Sequence, residues 1–298
     1  MATSDQLLVV IDPVARHSDG ESVRIAKDVL SAGAATKLCL PEGPEEFARA
    51  LTRRGARRPV VVGDDQALLR AVTLLHRRRE LATTGLSLVP VGAALSLARS
   101  LGVPTGAVAA ARAVLDGVER RLDLLVDDSD GVVLGDLRIP SLPAAASAPA
   151  VPTVPSGRRS APVGAEPSPA DGPWLRMRRS LVRTLAARPP RIAAPSAPGP
   201  SRLRVEVDGV MLVDLDQPVE AVSVAPGNPG VAEVEVRPVA VGAEAAALRA
   251  SGRKVTVSGA DFRYRADAVV AGPVRTRTWV VREAAWGLTL PATGTPGL

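Results

Sequence analysis

Short apolar runs alternate with amphipathic stretches along the first 125 residues. LLVVID (7–12), TKLCL (36–40), PVVVG (59–63) and LSLVPVG (86–92) read as short strands, the apolar ones of the kind buried on both faces of a parallel sheet. Between them DGESVRIAKDVLSAG (19–33), PEEFARALTRRG (44–55), DDQALLRAVTLLHRRREL (64–81) and ALSLARSLG (94–102) carry helical spacing, and VPTGAVAAARAVLDG (103–117) closes the series as a helix. Acidic residues open the first helix and Gly33 follows it, while Pro44 opens the second. Strand and helix in alternation predict an α/β domain with a mostly parallel sheet, whose ligands bind at the carboxyl ends of the strands.

The last 95 residues have a different period. LRVEVDGVMLVDL (203–215) gives two alternating strands around Asp208-Gly209, a hairpin signal. EAVSVAP, AEVEVRPVAV, KVTVSG, FRYRADAVV, RTWVV and LTLP continue with β-branched alternation and Gly/Pro punctuation, which predicts a β-rich sandwich. The two regions are expected as residues 1–121 and 122–298. The second is interrupted at about 141–172 and 189–201 by Ala/Pro/Ser-rich chain that reads as disordered linker. Within that interruption, PWLRMRRSLVRTLAARPPR (173–191) has Leu175, Leu181, Val182 and Leu185 near one helical face and Arg176, Arg179 and Arg183 mostly on the other.

Composition narrows the function. The chain has 298 residues and a formal net charge of +6, a balance that conventionally points to nucleic acid or an anionic membrane. The excess is local, however. Residues 143–202 carry nine arginines against Glu166 and Asp171, and the flanking regions are close to neutral. With three Trp, two Phe and one Tyr there are too few aromatics for the stacking platforms of an RNA-binding sheet, so no nucleic acid is expected. A single cysteine, Cys39, excludes a disulfide framework, and two histidines, His17 and His76, leave little for His-based metal sites or triads. No run approaches a membrane span and the start shows no signal peptide, so the expected location is cytoplasmic or peripheral at a membrane. DDSDG (127–131) mimics a calcium loop, but Val126 and Leu137 stand at its terminal ligand positions and a hairpin turn is expected.

Two strand-to-helix junctions have the composition of a ligand site. VVVGDDQALLRAV (60–72) sets Gly63, Asp64 and Asp65 between a strand and a helix N-terminus, and VPVGAALSLARSLGVP (89–104) does the same with Gly92. A glycine there lets the backbone approach a phosphate, helix N–H groups bind it, and a carboxylate can hold Mg²⁺ or take a proton from a hydroxyl. The same residues also suit plain turn glycines and a carboxylate helix cap.

The order and spacing of these segments resemble the catalytic domain of the diacylglycerol and sphingoid-base kinase family, whose fold is shared with NAD kinases. GDDQALLRAV (63–72) stands where that family has GGDGTLNEVV, and PVGAALSLARSLGVP (90–104) where it has PLGTGNDFARSLGIP. Asp12-Pro13 ends the first strand where the family has Asn-Pro, and RRLDLL (120–125) sits at the crossing into the second region. LRVEVDG (203–209) resembles the family strand that ends in Asp-Gly, the 173–191 segment the helix before it, and 268–291 the closing strands. The resemblance implies ATP-dependent phosphorylation of a lipid hydroxyl, ATP and Mg²⁺ as cofactors, and a lipid or anionic membrane surface as partner. It places Asp65 as the catalytic residue and Asp12, Gly63, Asp64, Gln66, Gly92 and Ala93 around the nucleotide, with no resident metal site. A one-residue shift that matched Asp64 instead would put Leu68 and Leu69 at polar positions, so Asp65 is preferred.

The departures from the pattern fall in the loops. Asp64 and Gln66 replace glycines, Ala67 the Thr and Arg70 the Glu of the first motif; Ala93, Ala94, Leu95 and Ser96 replace Thr, Gly, Asn and Asp of the second. No DGxLD segment is evident, APGNPGVAEVEV (225–236) occupying its place. Phosphoryl transfer is mostly positioning and charge neutralisation, so losing several donors together implies activity weakened or lost. Two expectations follow: a degenerate lipid kinase, or a non-catalytic lipid-binding or regulatory protein on the same fold.

Overall fold

A computed structural model describes residues 6–140, 200–227, 229–239 and 246–292. The amphipathic stretch at 173–188 and the linker segments lie outside the described residues, except for Pro200 and Ser201 at the end of the second, where Ser201 already begins a strand.

β1 (Leu7–Ile11), β2 (Thr36–Cys39), β3 (Arg58–Gly63) and β4 (Gly85–Pro90) pair in parallel in the order β2-β1-β3-β4. Alternate residues of β1 serve the two faces of this sheet. Leu8 and Val10 join one core with α3 (Pro44–Thr52) and α4 (Asp65–Arg77); Leu7, Val9 and Ile11 join another with α2 (Gly20–Gly33) and α6 (Ala107–Asp116). Each expected strand and helix of this half is present. The periodicity did not reveal α1 (Pro13–Ser18), a short helix started by the Asp12 cap and Pro13, which ends where Asp19 caps α2. The second loop is followed by only a short helix, α5 (Ser96–Ser100).

The remainder is antiparallel. β5 (Val118–Asp127) leads through the DDSDG turn to β6 (Val132–Val133) and β7 (Leu137–Ile139). In that turn Asp127 Oδ1 accepts from the Ser129 and Gly131 N–H groups at 2.8 Å, the hairpin expected from the sequence. β8 (Ser201–Val207) and β9 (Val210–Val213) form the hairpin at Asp208-Gly209, both in left-handed conformation. β10 (Pro218–Pro226), β11 (Ala232–Pro238) and β12 (Leu248–Gly252) follow as a meander. KVTVSG and the first part of FRYRADAVV merge into one strand, β13 (Lys254–Ala266); a turn at Asp267 and Ala268 breaks that expected strand, and its last two valines begin β14 (Val269–Leu290), which takes in the closing segments. β10 pairs with both β7 and β8, and β13 also pairs with both, so these strands close a ring around their own apolar core.

β14 ties the halves together. Its first part pairs with β13, and its last part pairs with β5 and lies parallel to β4 through Gly287 and Leu288. The scarce aromatics concentrate here. Trp279 and Trp286 are fully buried, Trp279 meets Tyr264 edge-on with centroids 5.2 Å apart, and Trp286 Nε1 donates to the Asp123 carbonyl. The described residues form one compact unit. Among the described residues no helix is long and apolar enough to cross a membrane.

Candidate functional site

The order β2-β1-β3-β4 reverses direction between β1 and β3, and the crevice beyond the carboxyl ends of those two strands is where an open α/β sheet binds ligands. Asp12 and Gly63 end the two strands side by side. The backbone N–H of Asp12 donates to the Val62 carbonyl, and a Cβ on Gly63 would stand 2.6 Å from Ala67 Cβ and 3.0 Å from Asp12 Cβ. Gly63 is thus required by close approach, as a phosphate-loop glycine would be, but what approaches is the protein itself. Gly92 has φ +127° and sits against the Asp64 Cβ, so it too is a turn glycine by necessity.

Three carboxylates converge here, each with its own internal partners. Asp64 caps α4: its Oδ1 accepts from the Gln66 and Ala67 N–H groups at 3.1 and 3.0 Å. Burial pushes its carboxyl above the usual range, against those two bonds. Asp65, fully buried, reaches across to the second loop. Its Oδ1 accepts from Ala98 N–H at 3.0 Å, and its Oδ2 accepts from Leu97 N–H at 2.9 Å and the Ser96 hydroxyl at 3.1 Å. Its backbone N–H donates to the Ala94 carbonyl. Asp65 is therefore the clasp that holds α5 against α4. Gln66 and Ala93 are exposed at the rim.

Asp12 is also buried. Its Oδ1 caps α1 through Val14 N–H at 2.9 Å, and its Oδ2 accepts from Arg70 at 2.5 Å. The Arg70 guanidinium lies over the Phe47 ring, 5.4 Å from its centroid. Sequence reasoning noted Arg70 only as a lost Glu. The sign that it matters was the acid at position 12, 58 residues earlier in the chain.

A cavity of about 790 Å³ opens on the other side of Asp65. α5 supplies Leu97, Ser100 and Leu101; the opposite wall is made by residues 134–136, 225–227, Pro229 and the β13–β14 turn. That turn holds the residue which sequence reasoning missed. Asp267, at φ +49°, accepts from the Leu134, Gly135 and Asp136 N–H groups at 2.8, 2.7 and 3.1 Å, and its own N–H donates to the Asp136 carbonyl. Burial raises its carboxyl to about 6 in spite of those donors. Asp208, at the end of the strand LRVEVDG, accepts from the Arg253 and Lys254 N–H groups in its own hairpin and does not line the cavity. Ala225, Pro226, Gly227 and Pro229 do line it. Asp123, in the crossing strand β5, anchors this wall by accepting from the Gly230 and Ala284 N–H groups.

Comparison with solved structures agrees with this layout. Three structures from Bacillus anthracis str. Sterne, each described as a diacylglycerol kinase and in two cases by assignment, superpose with TM-scores of 0.67, 0.66 and 0.65. Each match covers 97% of this chain and 98% of the other at 10–11% identity. The chain has a diacylglycerol kinase-like fold. No family model matches its sequence, and no curated protein is similar to it in sequence. At such low identity the likeness extends to the course of the backbone, and the chemistry has to be argued from this chain's own loops.

Proposed function

We propose that this protein keeps a diacylglycerol kinase-like fold but has lost, or nearly lost, ATP-dependent phosphoryl transfer, and acts by binding a lipid-like molecule rather than phosphorylating it. One observation carries the reading. The groups that would receive a nucleotide's phosphates and metal are already bonded to the protein. The N–H donors at the start of α4 are taken by the Asp64 carboxylate, and those at the start of α5 by Asp65. A phosphate would have to displace an anion from each.

Mg²⁺ fares no better. Asp12 is paired with Arg70, and both oxygens of Asp65 are committed. Among the described residues no group of three or more His, Cys, Asp and Glu side chains is arranged to hold a metal ion. The residues present do not fit Mg²⁺-ATP, and no catalytic step is derived through it. As a proton acceptor Asp65 would have to release the second loop, which holds one wall of the cavity.

The test pairs thermal unfolding with a phosphorylation assay on mixed micelles of dioleoylglycerol. ATP with Mg²⁺ should leave Tm unchanged, whereas a ligand at 100 times its Kd adds about 2.7 kcal/mol to the folded state and raises Tm by several degrees. No phosphorylated lipid should form. A rise in Tm together with ATP-dependent lipid phosphorylation that disappears in Asp65→Asn would overturn the reading.

A further inference from the structure

Beside the nucleotide crevice, on the outer side of the Asp12–Arg70 pair, lies a second cavity of about 620 Å³ between α3, α4 and the β13–β14 turn. Its walls are mostly apolar: Phe47 and Ala48 from α3, Leu69 and Leu74 from α4, and Val269 and Val270 from the start of β14. Both valines stand about half exposed at its mouth, which is unusual for a β-branched pair on a strand with a buried core elsewhere. The volume falls within the ordinary range of small-molecule sites, roughly 300–1,000 Å³.

Its charge is one-signed. Gln66, Arg70, Thr73 and Arg77 are the polar residues lining it, and no acid does. Arg70 is held by Asp12 and Phe47 and forms the fixed inner end. Arg77 is exposed in the last turn of α4 and has no hydrogen-bonded or ionic partner among the described residues. From Gln66 to Arg77 the helix axis extends about 16 Å, the length of a long acyl chain. A slot with apolar walls from α3, α4 and the start of β14 and an unpartnered cation in the last turn of α4 complements one chemistry.

We propose that this slot binds a single-chain anionic amphiphile, its acyl chain lying along α4 beneath Val269 and Val270 and its carboxylate or phosphate monoester meeting Arg77. The proposal rests on the reading of the protein as a lipid binder and gives that reading a second site, class of ligand and orientation. A neutral chain would leave Arg77 unmatched, and a nucleotide would bring its phosphates toward the Asp12 and Asp64 carboxylates.

The experiment uses the full-length protein and the fluorescent fatty acid cis-parinaric acid, displaced by palmitate, 1-palmitoyl lysophosphatidate, 1-palmitoylglycerol or ATP with Mg²⁺. Palmitate and lysophosphatidate should both displace it, and the stronger of the two identifies the head group; palmitoylglycerol should be at least tenfold weaker. Arg77→Gln should weaken binding of the anionic ligands roughly tenfold, the size of a charge-assisted hydrogen bond, and leave palmitoylglycerol unchanged. Val269→Asp should abolish binding of all chains. Both positions are exposed, and an unchanged Tm for each variant verifies folding. No saturable parinaric binding, or binding indifferent to both variants, overturns this proposal while leaving the absence of phosphoryl transfer standing. Equal displacement by palmitoylglycerol also overturns it. Displacement by ATP with Mg²⁺ overturns both readings.

Discussion

Asp12 and Asp267 are both carboxylates in the walls of the candidate site, and the protein neutralises them in opposite ways. Asp12 ends a parallel strand, is buried, and is met by a cation, Arg70. Asp267 sits in an antiparallel turn and is met only by three backbone N–H groups of the 134–136 loop. The first arrangement offsets full desolvation with full charge. The second uses dipoles alone, and its carboxyl titrates near neutrality, at about 6. The same fold thus carries one acid met by a guanidinium and another, met by backbone dipoles, that is poised to change form, on either side of Asp65.

The sharpest way to break that comparison is to remove the cation. Arg70→Met keeps the side-chain length over Phe47 but leaves the Asp12 carboxylate buried without its partner. We expect a loss of about 3 kcal/mol in urea unfolding, at the low end for a broken buried pair because the Arg70 side chain is 35% exposed. Asp12→Asn introduced into Arg70→Met should restore most of that loss, since Asn still accepts from Val14 N–H and carries no charge. Simple additivity of the two substitutions would mean that Arg70 does not neutralise Asp12.

That pair also marks how far the sequence could be read. The strand and helix order of the first 117 residues was legible because a buried strand and an amphipathic helix have distinct periods, and LARSLGVP pointed to the family whose backbone the chain follows. Asp12 for Asn and Arg70 for Glu were each visible as departures. That they are one coupled exchange, positive charge for negative on the helix and negative for neutral on the strand, needs the two positions brought within 2.5 Å. Asp65 was found for its place, but its hydrogen bonds to the start of α5 were not legible, because spacing identifies a carboxylate at a helix start without showing that it reaches a different helix. Asp267 was missed outright. Its only local signal is a polar residue in ADA between two strand runs, and its partners lie 131 to 133 positions away in sequence.

The second prediction concerns that residue and depends on pH. A carboxyl whose folded-state value is raised to about 6 from 3.8 favours the folded state when protonated. Its stabilising contribution is therefore complete below about pH 4 and is lost as the pH rises through 6, leaving a cost of up to about 3 kcal/mol at pH 7. Asp64, also raised by burial, contributes with the same sign. Acidic groups with lowered values, such as Glu80 beside Arg54 and Asp214 beside Arg204, act oppositely and below pH 4.5. Unfolding free energy should accordingly rise between pH 7.5 and 5, and the rise should shrink by more than half in Asp267→Asn. A flat profile in the native chain would show that the three N–H donors of the 134–136 loop outweigh the burial of Asp267.

The smallest effect expected is at Asp64, and it separates a cap from a phosphate ligand. Asp64→Ala frees the Gln66 and Ala67 N–H groups at the start of α4, at a cost of about 1 kcal/mol, the ordinary value of a helix N-cap. The same change removes the anion that occupies the place of a phosphate and relieves repulsion at the mouth of the crevice. If capping is all that Asp64 does to exclude anions, then 50 mM inorganic phosphate should raise the Tm of Asp64→Ala by 1–2 °C more than it raises that of the native chain. Equal responses would place the barrier to phosphate elsewhere, with the side chain of Gln66 the next candidate, since it stands at the rim where the related motif has glycine.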